Sequence, residues 1–209
     1  MLAWVRFLAA GSLDVLSPPR CAACSERVAR ATIFCPLCAR TLIRSSSPDA
    51  VFVYGGALAN AIRAFKYSSR PDLAAPLGDL LARRARAFEG DVDIVAPVPL
   101  HPRRLAERGY NQASLLAATV ARRLRVAFEP RLLSRVKHTP RQAELDRAAR
   151  ASNLGGAFAV RAACRGARVL LVDDVRTTGA TLAACETALR EAGAARVARL
   201  VLAEALLGG

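Results

Sequence analysis

The segment Val169-Leu170-Leu171-Val172-Asp173-Asp174-Val175-Arg176-Thr177-Thr178-Gly179-Ala180-Thr181 constrains this chain more than any other. Four consecutive apolar residues suit a strand buried on both faces, and such strands belong to parallel sheets covered by helices. The run delivers two adjacent carboxylates to its C-terminal end, the edge at which open α/β sheets bind ligands. A Thr-Thr-Gly-Ala-Thr turn then enters a helix expected from Ala180 to about Ala192. Gly179 permits close backbone approach, the threonines offer hydroxyls, and the start of the helix offers free N–H groups to an anion. The carboxylates cannot meet that anion themselves; they suit sugar hydroxyls or a hydrated Mg(II). Helix capping accounts for one or two of these residues, not for two acids, three threonines and a glycine in one order. GxxxxGK[ST] and GxGxxG are both absent, so this is neither a Walker A loop nor a dinucleotide fingerprint.

The remainder agrees with that reading. Val51 to Tyr54 and Asp93 to Pro97 are short strand-like runs, and a last strand is expected at Arg199 to Leu202. Between them lie helical stretches at Leu58 to Tyr67, Leu73 to Phe88 and Gln112 to Leu124, with a Pro-rich loop after Pro97. Strands alternating with helices imply an α/β domain with a largely parallel sheet. The segment Ser45-Ser46-Ser47-Pro48-Asp49 reads as a linker, dividing the chain into an N-terminal module over 1–44, a linker over 45–50 and the main domain over 51–209.

In the N-terminal module four cysteines form two knuckles, Cys21-Ala22-Ala23-Cys24 and Cys35-Pro36-Leu37-Cys38. Two CxxC turns can aim four thiolates at one tetrahedral Zn(II), and four protein ligands leave no open position, so such a zinc is structural. Disulfides fit poorly without a secretory signal, and a redox CxxC fits poorly with two such pairs, neither of them between a strand and a helix. Cys164 and Cys185 stand alone and read as buried small hydrophobes. Before the knuckles, Met1 to Leu16 is apolar-leaning but broken by Arg6, with no preceding basic segment, and so is not a signal peptide. Trp4, Phe7, Leu8 and Leu13 suggest a packing or interaction helix of a cytoplasmic protein. No apolar run reaches the roughly 18 residues of a membrane span.

The charge balance is strongly basic: 31 Lys and Arg against 17 Asp and Glu, a net +14. Only Lys66 and Lys137 are lysines; the rest are arginines, scattered along the chain. Two readings of this stay open. One is an anionic partner; the other is a composition dominated throughout by Arg and Ala.

The motif order resembles a known family. Val169 to Asp174 followed by Thr177 to Thr181 resembles the phosphoribosyl pyrophosphate (PRPP) signature of type I phosphoribosyltransferases. Ala96 to Arg104, Arg108-Gly109-Tyr110-Asn111-Gln112, Phe65-Lys66-Tyr67, Arg141-Gln142, Asn153 to Phe158 and the double CxxC resemble the ComF family, over nearly the whole chain. The resemblance implies a type I phosphoribosyltransferase-like parallel-sheet α/β domain with a small N-terminal zinc module. It also implies association with DNA uptake in natural transformation. Arg176 departs from the signature, which has a smaller or apolar residue there, and two placements stay open: toward the ligand or toward solvent.

Carried over residue by residue, the resemblance makes Asp173 and Asp174 the partners of the ribose hydroxyls of PRPP, directly or through Mg(II). Thr177, Thr178, Gly179, Ala180 and Thr181 would cradle the 5′-phosphate. Pro97 to Arg104 would be the pyrophosphate loop, with Arg103 and Arg104 reaching the diphosphate through their planar forks. Arg135 to Asn153 would be a flap carrying Lys137, Arg141 and Gln142. His101 reads as a loop-packing residue, and Lys66 as a helix cation whose stem covers apolar surface.

Two function classes follow. One is a phosphoribosyltransferase acting on an unknown acceptor. The other is a non-catalytic regulator or adaptor for single-stranded DNA or for competence proteins, a helicase-type partner among them. The low aromatic content, 5%, supplies few base-stacking platforms for the second. A homo-oligomer is compatible with either.

Overall fold

A computed structural model of the chain describes residues 18–68, 70–136 and 156–206. In chain order they form α1 (Pro36–Ala39), β1 (Ala50–Val53), α2 (Gly56–Tyr67), α3 (Ala74–Ala85), β2 (Ile94–Pro97), α4 (Pro102–Arg108), α5 (Gln112–Leu124), β3 (Ala127–Phe128), β4 (Leu133–Arg135), β5 (Phe158–Val160), β6 (Arg168–Arg176), α6 (Ala180–Glu191) and β7 (Arg196–Glu204). Five strands make one sheet in the order β1-β7-β6-β2-β3, every neighbouring pair parallel. β4 and β5 form a separate antiparallel pair. This is the parallel α/β architecture expected from the alternation of runs.

The side-chain alternation of β6 shows why both faces are covered. Leu170 and Val172 enter one core with Leu58, Ile62 and Phe65 of α2, Leu77 and Leu81 of α3, and Leu116 and Val120 of α5. Val169 and Leu171 enter the other with Leu182, Cys185 and Leu189 of α6 and with Phe158 of β5. Each fully buried leucine contributes roughly 1.5–3 kcal/mol, so the continuous apolar run specifies a central strand. Helices α3 and α5 approach closely because residue 78 is glycine: a Cβ there would lie 2.8 Å from Thr119 Cβ.

Strand β6 is longer than the apolar run. β7 accompanies it to its end, pairing Asp173 with Val201 and Arg176 with Glu204. β2 stops sooner, its last partner being Pro97 opposite Val172, so on that side the two acids lie beyond the neighbouring strand. The chain leaves β2 toward β3 and leaves β6 toward β7, in opposite directions along the sheet. Between β2 and β6 lies the switch-point crevice at which such sheets take ligands.

The stretch after Pro97, expected to be loop, holds the short helix α4. Its His101 Nδ1 accepts the Arg103 N–H at 3.2 Å, and Pro102 stands in the first turn, where a missing N–H costs nothing. Residues 43–53 fold back on themselves: the Val53 N–H donates to Ile43 at 2.8 Å and Ser45 to Val51 at 3.1 Å. The Cys-bearing module shares the α2-side core, to which Cys21, Phe34 and Cys35 belong.

Candidate functional site

The open end of β6 gathers three sequence-distant segments. Beyond Asp174 the turn reaches Gly179, whose φ of +78° lies in the left-handed region that favours glycine. A Cβ at that position would lie 3.6 Å from Arg176 Cδ. Thr178 Oγ1 accepts the Ala180 N–H at 3.4 Å, at the start of α6. The remaining first-turn N–H groups, which a helix cannot satisfy internally, open toward this turn. Thr177 is exposed, while Thr178, Gly179, Ala180 and Thr181 are half-buried. The loop after β2 brings Arg103 and Arg104 into the first turn of α4, the former exposed and the latter half-buried.

The two acids differ. Asp174 is buried, and its Oδ1 lies 2.9 Å from Nζ of Lys66 on α2. Asp173 is half-buried and accepts the Asp174 N–H at 2.8 Å. Burial, then the adjacent Asp174 carboxylate, pushes Asp173 up to about 7, against the opposing pull of Lys66. Desolvation with no ion pair of its own among the described residues is the physical cause.

Sequence reasoning treated Lys66 as a surface-covering stem; the structure makes it the partner of Asp174. The Arg108–Gln112 motif explains the pairing. Tyr110 donates its hydroxyl to the Phe65 carbonyl at 2.6 Å, and Gln112 Nε2 donates to the same carbonyl at 3.4 Å. Arg108 lies 4.9 Å over the Tyr67 ring and donates to Tyr67 Oη at 3.1 Å. Asn111 caps α5 by accepting from Ala113 and donates to the Val98 carbonyl at 3.0 Å, tying the loop after β2 to the same corner. The residues on either side of Lys66 are thus fixed by one motif about forty residues downstream, a link no spacing rule would show.

Arg135, expected only as the first residue of the flap, ends strand β4. Its guanidinium lies 5.6 Å over the Phe158 ring. Burial, then the Arg104 charge, holds it below its ordinary value, while Cys185 and Asp173 act in the opposite sense. A cation therefore stands on the α6 side of the strand end, near Asp173. Lys137, Arg141 and Gln142 of the expected flap lie outside the described residues, as does the expected helix within 1–16.

Arg176 is half-buried and turns to partners at the ends of β6 and β7. It pairs with Asp49 at 2.5 Å and with Glu204, and donates to Ser47 Oγ at 3.0 Å. Ser45 Oγ also donates to Glu204. The departure from the signature thus fastens residues 45–49 to the ends of β6 and β7.

At the other site, Cys21, Cys24, Cys35 and Cys38 place their sulfurs within 4.8 Å of one another. Cys24 and Cys35 Sγ are 3.7 Å apart, against about 3.8 Å for two thiolates bound tetrahedrally to zinc at ~2.3 Å. Although burial acts to raise it, N–H groups of Cys35, Cys24 and Ala23 bring the Cys21 thiol down to about 6. Burial, with the other thiols, pushes Cys38 up. The group could hold zinc with all four positions taken by protein. Cys164 and Cys185 are buried. Among the described residues no helix is long and apolar enough to cross a membrane.

No family model matches the chain. It is 31% identical over 197 residues to the DNA utilization protein YhgH of Salmonella typhimurium, covering 85% of this chain and 86% of that one. It is 32% identical over 192 residues to competence protein F of Haemophilus influenzae, covering 86% and 82%. The chain belongs to the ComF family. A more distant ComF relative, competence protein ComFC of Bacillus subtilis, is 26% identical over 207 residues, covering 88% of this chain and 84% of that one. Among solved structures, the glutamine PRPP amidotransferase from B. subtilis overlaps 66% of this ComF chain and 30% of its own length, at 23% identity and a TM-score of 0.47. The purine phosphoribosyltransferase from Pyrococcus horikoshii overlaps 64% and 73%, at 17% identity and a TM-score of 0.41.

Proposed function

We propose that this ComF protein binds PRPP with Mg(II) in the crevice between β2 and β6 and transfers the phosphoribosyl group to an acceptor nucleophile. One observation carries the reading: β2 and β6 are neighbours at a switch point, so the acid-tipped β6, the Thr-Thr-Gly-Ala-Thr entry to α6 and the loop that runs from β2 into the Arg-bearing α4 leave the same edge of the sheet. The start of α6, with Thr177, Thr178 and Thr181, suits the 5′-phosphate through backbone N–H groups and hydroxyls. The acidic tip suits the ribose hydroxyls. Arg103 and Arg104 suit the diphosphate, and the family resemblance makes Lys137 a flap residue that would close over the substrate.

The chemistry these residues can support is displacement at the anomeric carbon. A nitrogen lone pair forms the new C–N bond, the bond to the diphosphate oxygen breaks with its electron pair, and pyrophosphate leaves. The protein's share is orientation of the sugar and stabilisation of charge on the departing diphosphate. Mg(II), when bound, would neutralise part of that charge. The cysteine cluster is assigned to structural zinc. The names of the relatives support a role in DNA uptake during natural transformation.

A cleft of about 460 Å³ lined by Arg86, Glu89, Arg123, Leu124 and Arg125 favours a second reading, polyanion binding. It lies where β2 and β3 begin, at the opposite end of the sheet from the acids, and the three arginines form no ion pair among the described residues. Helix C-termini also attract cations for electrostatic reasons alone. Calorimetry separates the readings: PRPP with Mg(II) should bind, and binding should survive Arg86→Ala/Arg123→Ala. Single-stranded DNA binding that PRPP does not compete with, and that falls steeply with salt, together with no PRPP heat, would favour the second.

A further inference from the structure

The adjacent acids of β6 look like a pair in sequence but serve opposite faces of the sheet. Asp174 continues the row of Leu170 and Val172, which packs against α2, α3 and α5. Asp173 continues the row of Val169 and Leu171, which packs against α6 and the β4–β5 pair. On its face Asp174 meets Lys66 at 2.9 Å, the two side chains being only 9% and 17% exposed. A carboxylate this enclosed needs a compensating charge, and Lys66 supplies it from a helix end held at Phe65 by Tyr110 and Gln112. Asp173 has no ion pair among the described residues.

We infer that Lys66 is the resident cation of the strand end: it occupies Asp174, leaving Asp173 as the carboxylate that meets the sugar hydroxyls or a divalent ion. Lys66 and Asp174 are then positioning residues that hold the tip of β6 against α2, and Asp173 is the ligand-binding acid. The inference rests on the phosphoribosyl reading and divides the acids' roles within it.

The unit Lys66–Asp174 predicts a coupled behaviour that two equivalent ligand-binding acids would not show. Removing Lys66 exposes Asp174 to the nearest other cation, so binding should come to need more Mg(II). Removing both members leaves no enclosed charge behind, so the double change should cost no more than the worse single one.

The test is calorimetric titration of the zinc-loaded full chain with PRPP across a series of Mg(II) concentrations, with thermal unfolding run on every variant. Asp173→Asn should weaken PRPP binding by about 100-fold or more. Lys66→Met and Asp174→Asn should each weaken it by about tenfold, Lys66→Met with its Mg(II) dependence shifted to higher concentration and Lys66→Arg within about threefold of wild type. Lys66→Met/Asp174→Asn should match the worse single variant, and it carries the test if Lys66→Met alone does not fold. Asp174→Asn as damaging as Asp173→Asn, or PRPP affinity and Mg(II) dependence untouched by Lys66→Met, overturns the inference while the phosphoribosyl reading stands. A folded wild-type chain that binds no PRPP at any Mg(II) concentration overturns both.

Discussion

The cysteine cluster and the acidic strand end are both compact polar sites, but they are assembled over different distances. The four thiols come from two knuckles within 18 residues and satisfy one another: Cys24 and Cys35 Sγ are 3.7 Å apart, and the Cys35 N–H points to Cys21 Sγ. The strand end sets Lys66 against Asp174 across 108 positions and leaves the same sheet edge as the loop after β2, an arrangement that exists only when the sheet has formed. A local site of this kind depends on its metal, whereas a site at a switch point depends on register across the whole domain.

That contrast has measurable consequences. The largest is metal removal. Purified protein should carry one zinc per chain, and chelation or Cys35→Ser should lower Tm by more than about 10 °C. Hydrogen exchange should rise first across residues 21–42; a rise that begins instead in β6 and β7 would break the contrast. Next comes the fastening of the strand end. Arg176→Met leaves Asp49 and Glu204 facing each other without their cation and should cost about 3 kcal/mol, read as a Tm lower by roughly 6–12 °C; unchanged stability in chemical denaturation would remove Arg176 from the account.

Smaller again is the contact between α3 and α5. Gly78→Ala places a Cβ against Thr119, and α3 and α5 must separate, at a cost of about 1–3 kcal/mol. Gly78→Ala/Thr119→Ser should recover part of it, which a double-mutant cycle would read. The smallest effect concerns Asp173. Its pKa is raised from 3.8 to about 7 in the folded chain, so its ionisation opposes folding: the contribution is most favourable below pH 4 and is lost as pH rises toward 7. Because Asp173 is half-buried, solvent screens this, and Asp173→Asn should stabilise the ligand-free protein at pH 8 by about 1–2 kcal/mol. Denaturant midpoints at pH 4.5 and pH 8 check the sign; the gain should shrink at the lower pH.

The contrast also explains what was legible in the sequence. Both CxxC knuckles and the Val169–Thr181 segment declared themselves because their chemistry is contiguous. The parallel sheet followed from the doubly buried run and the alternation of strands with helices. Lys66 was not legible as a site residue, because one lysine on an amphipathic helix has no periodic mark and its partner lies 108 positions away. The Arg108–Gln112 motif was visible as a resemblance, but its physical work, holding the α2 terminus at Phe65 and the loop at Val98, needed coordinates. Arg176 could not be placed because its partners, Asp49 and Glu204, belong to segments that carry no motif. Helix α4 was hidden within a Pro-rich stretch that reads as loop until His101 and Pro102 are seen as a helix start.

The most direct test of the central claim is a crystal structure of the zinc-loaded protein grown with PRPP and Mg(II). The account predicts the 5′-phosphate at the start of α6 against Thr178 and Thr181, the ribose beside Asp173 with Lys66 still paired to Asp174, and the diphosphate toward Arg103 and Arg104. Clear density for PRPP in the arginine cleft at the opposite end of the sheet, with the β6 tip and the start of α6 left without ligand, would contradict it.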